Sequence, residues 1–170
     1  INIRNRVETD ARTLASQIGL SKAIKKFNLK KIITFHSSVR NAKNYSDMDS
    51  ESSFLGVNKL LPSKERASGK IWTRVIYGKM PVDKRNTILN ELKYLEKNNR
   101  GLISNCSCLT EGVNIPTLDA VGFIDPKESK IDIVQAVGRA LRKPRSERNT
   151  NYEAKEKKSI IFIPVVIDDK

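Results

Sequence analysis

The chain has 170 residues, of which 38% are hydrophobic and 30% charged. That suits one soluble globular domain with its own core and a generously charged surface. Lys and Arg number 32 against 19 Asp and Glu, a formal net charge of +13, which favours a polyanionic partner, nucleic acid first among them. No apolar run approaches the ~18–20 residues that span a bilayer and no signal peptide is recognisable, so a cytoplasmic setting without membrane contact is the expectation. The sequence begins at Ile1 rather than Met, as expected of a piece of a longer chain. Cys106 and Cys108, with His36 the one histidine and far off, do not make a zinc set, so two reduced thiols and no metal are expected.

In chain order, residues from Asp10 to Phe27 carry Leu14, Ile18, Ile24 and Phe27 among lysines and alanines, the pattern of an amphipathic helix. Lys30–Phe35 reads as a buried strand, His36-Ser37-Ser38 as a polar turn, and Val39–Ser46 as a helix offering Val39, Ala42 and Tyr45 to the core. Between Asp47 and Lys70 the signal is poor. Phe54, Leu55, Val57, Leu60 and Leu61 suit a short helix that Pro62 would stop. Ile71–Tyr77 is β-branched and aromatic, hence a strand, ended by Gly78. Pro81–Asn98 gives the clearest helical stripe, in Ile88, Leu89, Leu92 and Leu95, and Asn98-Asn99-Arg100-Gly101 reads as the loop that closes it.

Leu102–Cys106 and Ala120–Ile124 read as two more buried strands, and Ile131–Arg142 as a helix capped by Ser129. Lys143–Lys158 is nearly all polar, so a mobile loop is expected, followed by an apolar strand over Ser159–Ile167 that Pro164 would push to a sheet edge or a bulge. Strands and helices alternate. The expected fold is therefore α/β, with a mostly parallel sheet covered by helices on both faces, in one domain over residues 1–170.

Wound at about 100° per residue, Ile131–Arg142 puts Ile131, Val134, Val137 and Leu141 on one side. Gln135, Arg139 and Arg142 fall on another, beside Gly138, whose bare backbone permits close approach. One amide and two guanidinium groups held in parallel form a device for gripping an anion; a solvated basic face is the bland alternative. In parallel sheets ligands gather beyond the carboxyl ends of strands. The turn Thr110-Glu111-Gly112-Val113-Asn114-Ile115-Pro116, with Asp119 after it, would then present polar groups to a ligand.

A Thr-Glu-Gly-x-Asn-x-Pro turn, a strand, and a helix with Gln-x-x-Gly-Arg-x-x-Arg resemble motifs V and VI of the superfamily 2 helicases, in order and at the right separation. Lys30–Ser38 with Ala42 is similar to motif IV, and Tyr77-Gly78 with Arg85 looks like the segment between motifs IV and V. The resemblance runs from about Lys30 to Arg142. It implies the second of two RecA-like motor domains, with ATP in the cleft between them and magnesium held by an N-terminal domain absent from this chain. Arg139 and Arg142 match the arginines that reach the γ-phosphate, Arg142 in the place of the arginine finger. Gln135 matches the glutamine that couples nucleotide state to closure, and Gly112 and Asn114 match positions near the ribose and the domain interface. Thr110, Ser37, Ser38 and Arg40 are the expected nucleic-acid contacts. Many relatives have aspartate where Asn114 stands and threonine where Cys106 falls, and a thiol is a weak donor.

The Glu-Gly-Val-Asn-Ile-Pro wording is closer to restriction-enzyme-type and repair-type translocases than to DEAD-box RNA helicases, which points to DNA. A complete motor also needs a Walker A loop. Gly69-Lys70 comes nearest, but Ile71 follows where Ser or Thr belongs and Lys64 stands where the first glycine should be, so it reads as a turn. The expectation is a chain that neither hydrolyses ATP nor unwinds a duplex alone. The competing class is a RecA-like docking or nucleic-acid-binding module without motor function. A dinucleotide-binding enzyme fails for want of G-x-G-x-x-G after any strand.

Overall fold

A computed structural model of the chain describes residues 3–107, 118–125, 138 and 159–164. Along it run α1 (Ile3–Phe27), β1 (Lys31–Phe35), α2 (Val39–Ser46), α3 (Phe54–Leu60), β2 (Lys70–Tyr77), α4 (Val82–Lys93), β3 (Asn99–Cys106), β4 (Ala120–Phe123) and β5 (Ile160–Phe162). The five strands form one sheet in the order β2-β3-β1-β4-β5, and every pair is parallel. Parallel pairing buries both faces, which is why β1 and β4 read as continuous apolar runs rather than alternating ones.

Successive residues of each strand point to opposite faces. One face presents Ile33, Phe35, Ile76, Ile103, Val121 and Phe123 to Leu89 and Leu92 of α4. The other presents Ile32, Leu102 and Ala120 to Leu20 and Ile24 of α1, Tyr45 of α2 and Phe54 of α3. Each fully buried Ile, Leu or Phe contributes about 1.5–3 kcal/mol, so these two layers dominate the stability. The α/β expectation with helices on both faces holds. Among the described residues no helix is long and apolar enough to cross a membrane.

Several boundaries moved. α1 starts at Ile3 rather than Asp10, and its buried stripe is Ser16, Gln17, Leu20, Ser21 and Ile24, while Leu14 and Phe27 are about half exposed (47% and 51%). The apolar spacing misled because half the inward positions are polar and bonded. Gln17 Nε2 donates to the Ser52 carbonyl at 2.9 Å, and Ser21 donates to Asn58 Oδ1. In α3, Phe54 and Val57 are buried as expected but Leu60 is exposed.

α4 ends at Lys93, and Asn99-Arg100-Gly101 are the first residues of β3 rather than a loop. Turn-forming residues are outvoted there by the ladder. Gly101 pairs with Lys31 and Trp72, and its N–H donates to the Lys30 carbonyl at 2.8 Å. A Cβ at Gly101 would come within 2.6 Å of both Leu92 and the Trp72 indole, so packing demands glycine. Arg100 adds bonds to the carbonyls of Ser68 and Leu29 and to Asn28 Oδ1.

β5 lies at the sheet edge, as Pro164 suggested, and Gly69 (φ +91°) is the turn into β2. Asp119 is not at the ligand end of the sheet: it bonds the N–H groups of Lys30 and Lys31 at 2.9 and 3.0 Å, at the start of β1. The Thr110–Pro116 turn, the Lys143–Lys158 loop, the strand beyond Pro164 and the Ile131–Arg142 helix apart from Gly138 lie outside the described residues.

Candidate functional site

The connection leaving β1 leads outward to β2, whereas those leaving its neighbours β3 and β4 lead the opposite way along the sheet. Ligand crevices in parallel sheets open where the winding reverses in this way, at the carboxyl ends of the strands. Here that place is the end of β1, where His36, Ser37, Ser38 and the start of α2 sit beside Ile124 and Asp125 at the end of β4.

The local structure follows from the sequence. Ser38 is extended (φ −136°, ψ 153°), and its Oγ accepts the Asn41 N–H at 3.1 Å, capping α2. Asp125 then closes the turn from the next strand. Its Oδ2 accepts three bonds, from the Ser37 N–H at 2.8 Å, the Ser37 hydroxyl at 3.0 Å and Asn41 Nδ2 at 3.2 Å. Hydrogen bonds to a charged group contribute about 1.5–3 kcal/mol each, so this one carboxylate oxygen sets the shape of the loop. It also lies by the first turn of α2, where the helix dipole favours a negative charge.

Behind the loop His36 is buried, its ring 4.9 Å from that of Tyr45 and its Nε2 3.0 Å from Thr34 Oγ1. Thr34 Oγ1 continues the chain to Ser104 Oγ at 3.2 Å, which runs these polar groups from β1 to β3. Burial pushes the His36 pKa down to about 4, and the Asp125 carboxylate pulls it partly back up. The imidazole is therefore neutral at pH 7, and its Nδ1, 3.9 Å from Asp125 Oδ2, makes no ion pair there. Burial likewise pushes the Tyr45 hydroxyl above its ordinary range; Ser16 nearby offsets this in part and Asp125 adds to it, yet no group meets hydrogen-bond geometry with the phenol oxygen. A cavity of about 460 Å³ opens between α1, α2 and these strand ends, lined by Gln17, His36, Asn41, Tyr45 and Asp125 among others.

Of the residues singled out from sequence, Ser37, Ser38 and Arg40 come together at this strand end. Ser37 has both of its donors on Asp125, Ser38 is the helix cap, and Arg40 is exposed on the first turn of α2. Gly138 is helical and exposed, and a Cβ added there would meet nothing within 4 Å. Thr110, Gly112, Asn114, Gln135, Arg139 and Arg142 lie outside the described residues. Cys106, at the end of β3, is a buried free thiol. Asp125 and Asn41 went unnoticed in the sequence. The signal for Asp125 was available, since a carboxylate directly after a buried parallel strand and before Pro126 sits at a ligand-gathering position.

The family model described as the helicase conserved C-terminal domain matches residues 16–144, a span that takes in β1–β4. The chain belongs to this family. Among helicase relatives, it is 26% identical over 171 residues to a probable helicase, A859L, of African swine fever virus (isolate Pig/Kenya/KEN-50/1950). The match covers 98% of this chain and 16% of the viral protein. The A859L proteins of isolate Tick/Malawi/Lil 20-1/1983 and of the Badajoz 1971 Vero-adapted strain are 26% and 25% identical, again over 16% of their length. The chain thus spans about a sixth of the curated relatives it matches. A crystal structure of the C-terminal part of the Fun30 ATPase domain is similar over 85% of this chain and 38% of that one, with 17% identity and a TM-score of 0.48.

Proposed function

We propose that this helicase C-terminal domain is the second RecA-like motor domain of a superfamily 2 ATP-dependent helicase or translocase. The observation that carries this is the ordered motif set inside the family match, on a parallel sheet whose β1 loop lies at the ligand end. In this reading ATP and its magnesium are held mainly by an N-terminal RecA-like domain of the same parent chain. Arg139 and Arg142 reach the γ-phosphate: guanidinium is always charged and forks onto phosphate oxygens, where it offsets charge developing in the transition state. Gln135, with Gly138 beside it, couples nucleotide state to closure, and Gly112 and Asn114 meet the ribose side.

The nucleic-acid track crosses the β1 end. Because Ser37 is committed to Asp125, the phosphate contact there falls first to Arg40 and to the Ser38 hydroxyl proton, and Thr110 is the further contact that the motif resemblance implies. The Glu111–Pro116 wording favours DNA, in a restriction- or repair-type translocase. The net charge of +13 supports a polyanionic track.

The test uses the 170-residue chain itself. It is expected to show no ATP turnover with or without a DNA oligonucleotide. It should bind fluorescein-labelled duplex DNA weakly, with log Kd rising linearly with log salt concentration. Protein-dependent turnover by this chain alone, or binding indifferent to salt, contradicts the proposal.

A further inference from the structure

We infer that the cavity between α1, α2 and the ends of β1 and β4 receives one unpaired nucleobase, an inference that rests on the reading above for the strand at the β1 end. The base is one that sets an exocyclic amino group beside a ring-nitrogen acceptor, as adenine and cytosine do. A free nucleoside would offer the same edge. At about 460 Å³ the cavity falls within the ~300–1,000 Å³ of small-molecule sites.

Tyr45 lacks a partner there. It is 2% exposed and lines the cavity, yet its phenol oxygen has no hydrogen bond. Its ring is held beside those of His36 and Phe54, with centroids 4.9 and 6.0 Å away, which keeps the oxygen from swinging toward one. A buried hydroxyl left unpaired is costly, and a ligand in the cavity would pair it.

The other walls select the ligand. Gln17 Nε2 donates to the Ser52 carbonyl at 2.9 Å, and Asn41 Nδ2 to Asp125 Oδ2 at 3.2 Å. Both Ser37 donors end on that same Oδ2. The open positions are therefore mostly acceptors: Asp125 Oδ1 and the amide oxygens of Gln17 and Asn41. Tyr45 and the exposed Asn44 amide can donate in return. An amino group beside a ring nitrogen meets that set, whereas thymine would turn two carbonyls toward acceptors. Among the described residues no Lys or Arg lines the cavity and a carboxylate does, which keeps a phosphate out. An ammonium would suit the carboxylate but not the apolar Leu14 and Ile124, and the net charge of +13 repels it. Outside, Arg40 directly precedes Asn41 on α2. Neighbouring Cα atoms are about 3.8 Å apart, so a phosphate on Arg40 and a base against Asn41 lie within the span of one nucleotide. Unpaired bases are read in this way, splayed from the strand and bonded on their Watson–Crick edge.

The test measures Kd of the 170-residue chain for short fluorescein-labelled oligothymidylates by anisotropy. One central residue is thymidine, deoxyadenosine or 2′-deoxynebularine, a purine that lacks only the amino group. The adenine strand should bind at least about tenfold tighter than the thymine strand, the scale of one hydrogen bond to a charged group. This ratio is the readout, because a general loss of affinity cancels in it. Nebularine should bring it to within about three-fold of one, as should Asp125→Asn, which puts an N–H donor where Oδ1 accepts. Tyr45→Phe should lower the ratio without lowering the urea midpoint, and it serves with nebularine should Asp125→Asn fail to fold. A merely structural phenol would lower the midpoint and leave the ratio intact. Saturation-transfer NMR with free deoxyadenosine and deoxynebularine separates the sources: discrimination between the nucleosides but not between the strands assigns the cavity to a free nucleoside. No discrimination with either source overturns the inference, as does a ratio preserved in both Asp125→Asn and Tyr45→Phe. Failure of every strand to bind, with the free nucleosides still discriminated, overturns the track reading and leaves the cavity assignment standing.

Discussion

His36 makes the stability of the domain depend on mild acid. In the folded chain its ring is buried against Tyr45, bonded to Thr34, and faced by the Asp125 carboxylate at 3.9 Å, and its pKa is lowered from 6.5 to about 4. The unfolded chain takes up the proton near 6.5 that the folded chain refuses until about pH 4. The stability is therefore intact above pH 6.5 and is lost as pH falls toward 4. At about 1.4 kcal/mol per pH unit, the loss from this one group is about 2 kcal/mol between pH 7 and 5 and about 3 kcal/mol once the folded form titrates. Urea unfolding of the wild type and of His36→Gln at pH 7, 6 and 5 measures it. Other groups titrate equally in both proteins, so the difference between the two curves isolates the imidazole. The wild type should lose about 2 kcal/mol more than the variant across that interval. Parallel pH dependences would refute the buried neutral imidazole.

Two substitutions separate packing from function. Gly101→Ala drives a methyl into Leu92 and the Trp72 indole at 2.6 Å and should destabilise by about 1–3 kcal/mol in chemical denaturation; an unchanged midpoint would mean β3 is not packed as described. Gly138→Ala meets nothing within 4 Å. Being the better helix former, alanine there should leave the melting temperature unchanged or raised, and yet reduce ATP turnover in the longer protein if a ligand or domain closes on that backbone.

The fold was legible wherever one face of an element is uniformly apolar. β1, β4 and α2 appear within a residue of their expected limits because Ile32, Ile33, Ala42 and Tyr45 all point inward. It was illegible where local composition opposes the tertiary context. The inward stripe of α1 is half polar, and Asn99-Arg100-Gly101 spell a turn while pairing in a ladder. The candidate site divides likewise. The loop at Ser37–Arg40 was legible because it follows a buried strand. For Asp125 the place directly after a buried strand was a usable signal, but its contacts with Ser37 and Asn41, 88 and 84 positions away, are recorded in no local pattern.

The central claim, that this domain lends arginines to an ATP held elsewhere, is tested most directly by steady-state ATP turnover of the longer protein carrying Arg142→Ala, with nucleotide affinity measured alongside. The expected result is a kcat lower by roughly 10³–10⁵-fold, with binding of ATP largely retained. A variant that turns over ATP at the wild-type rate would contradict it.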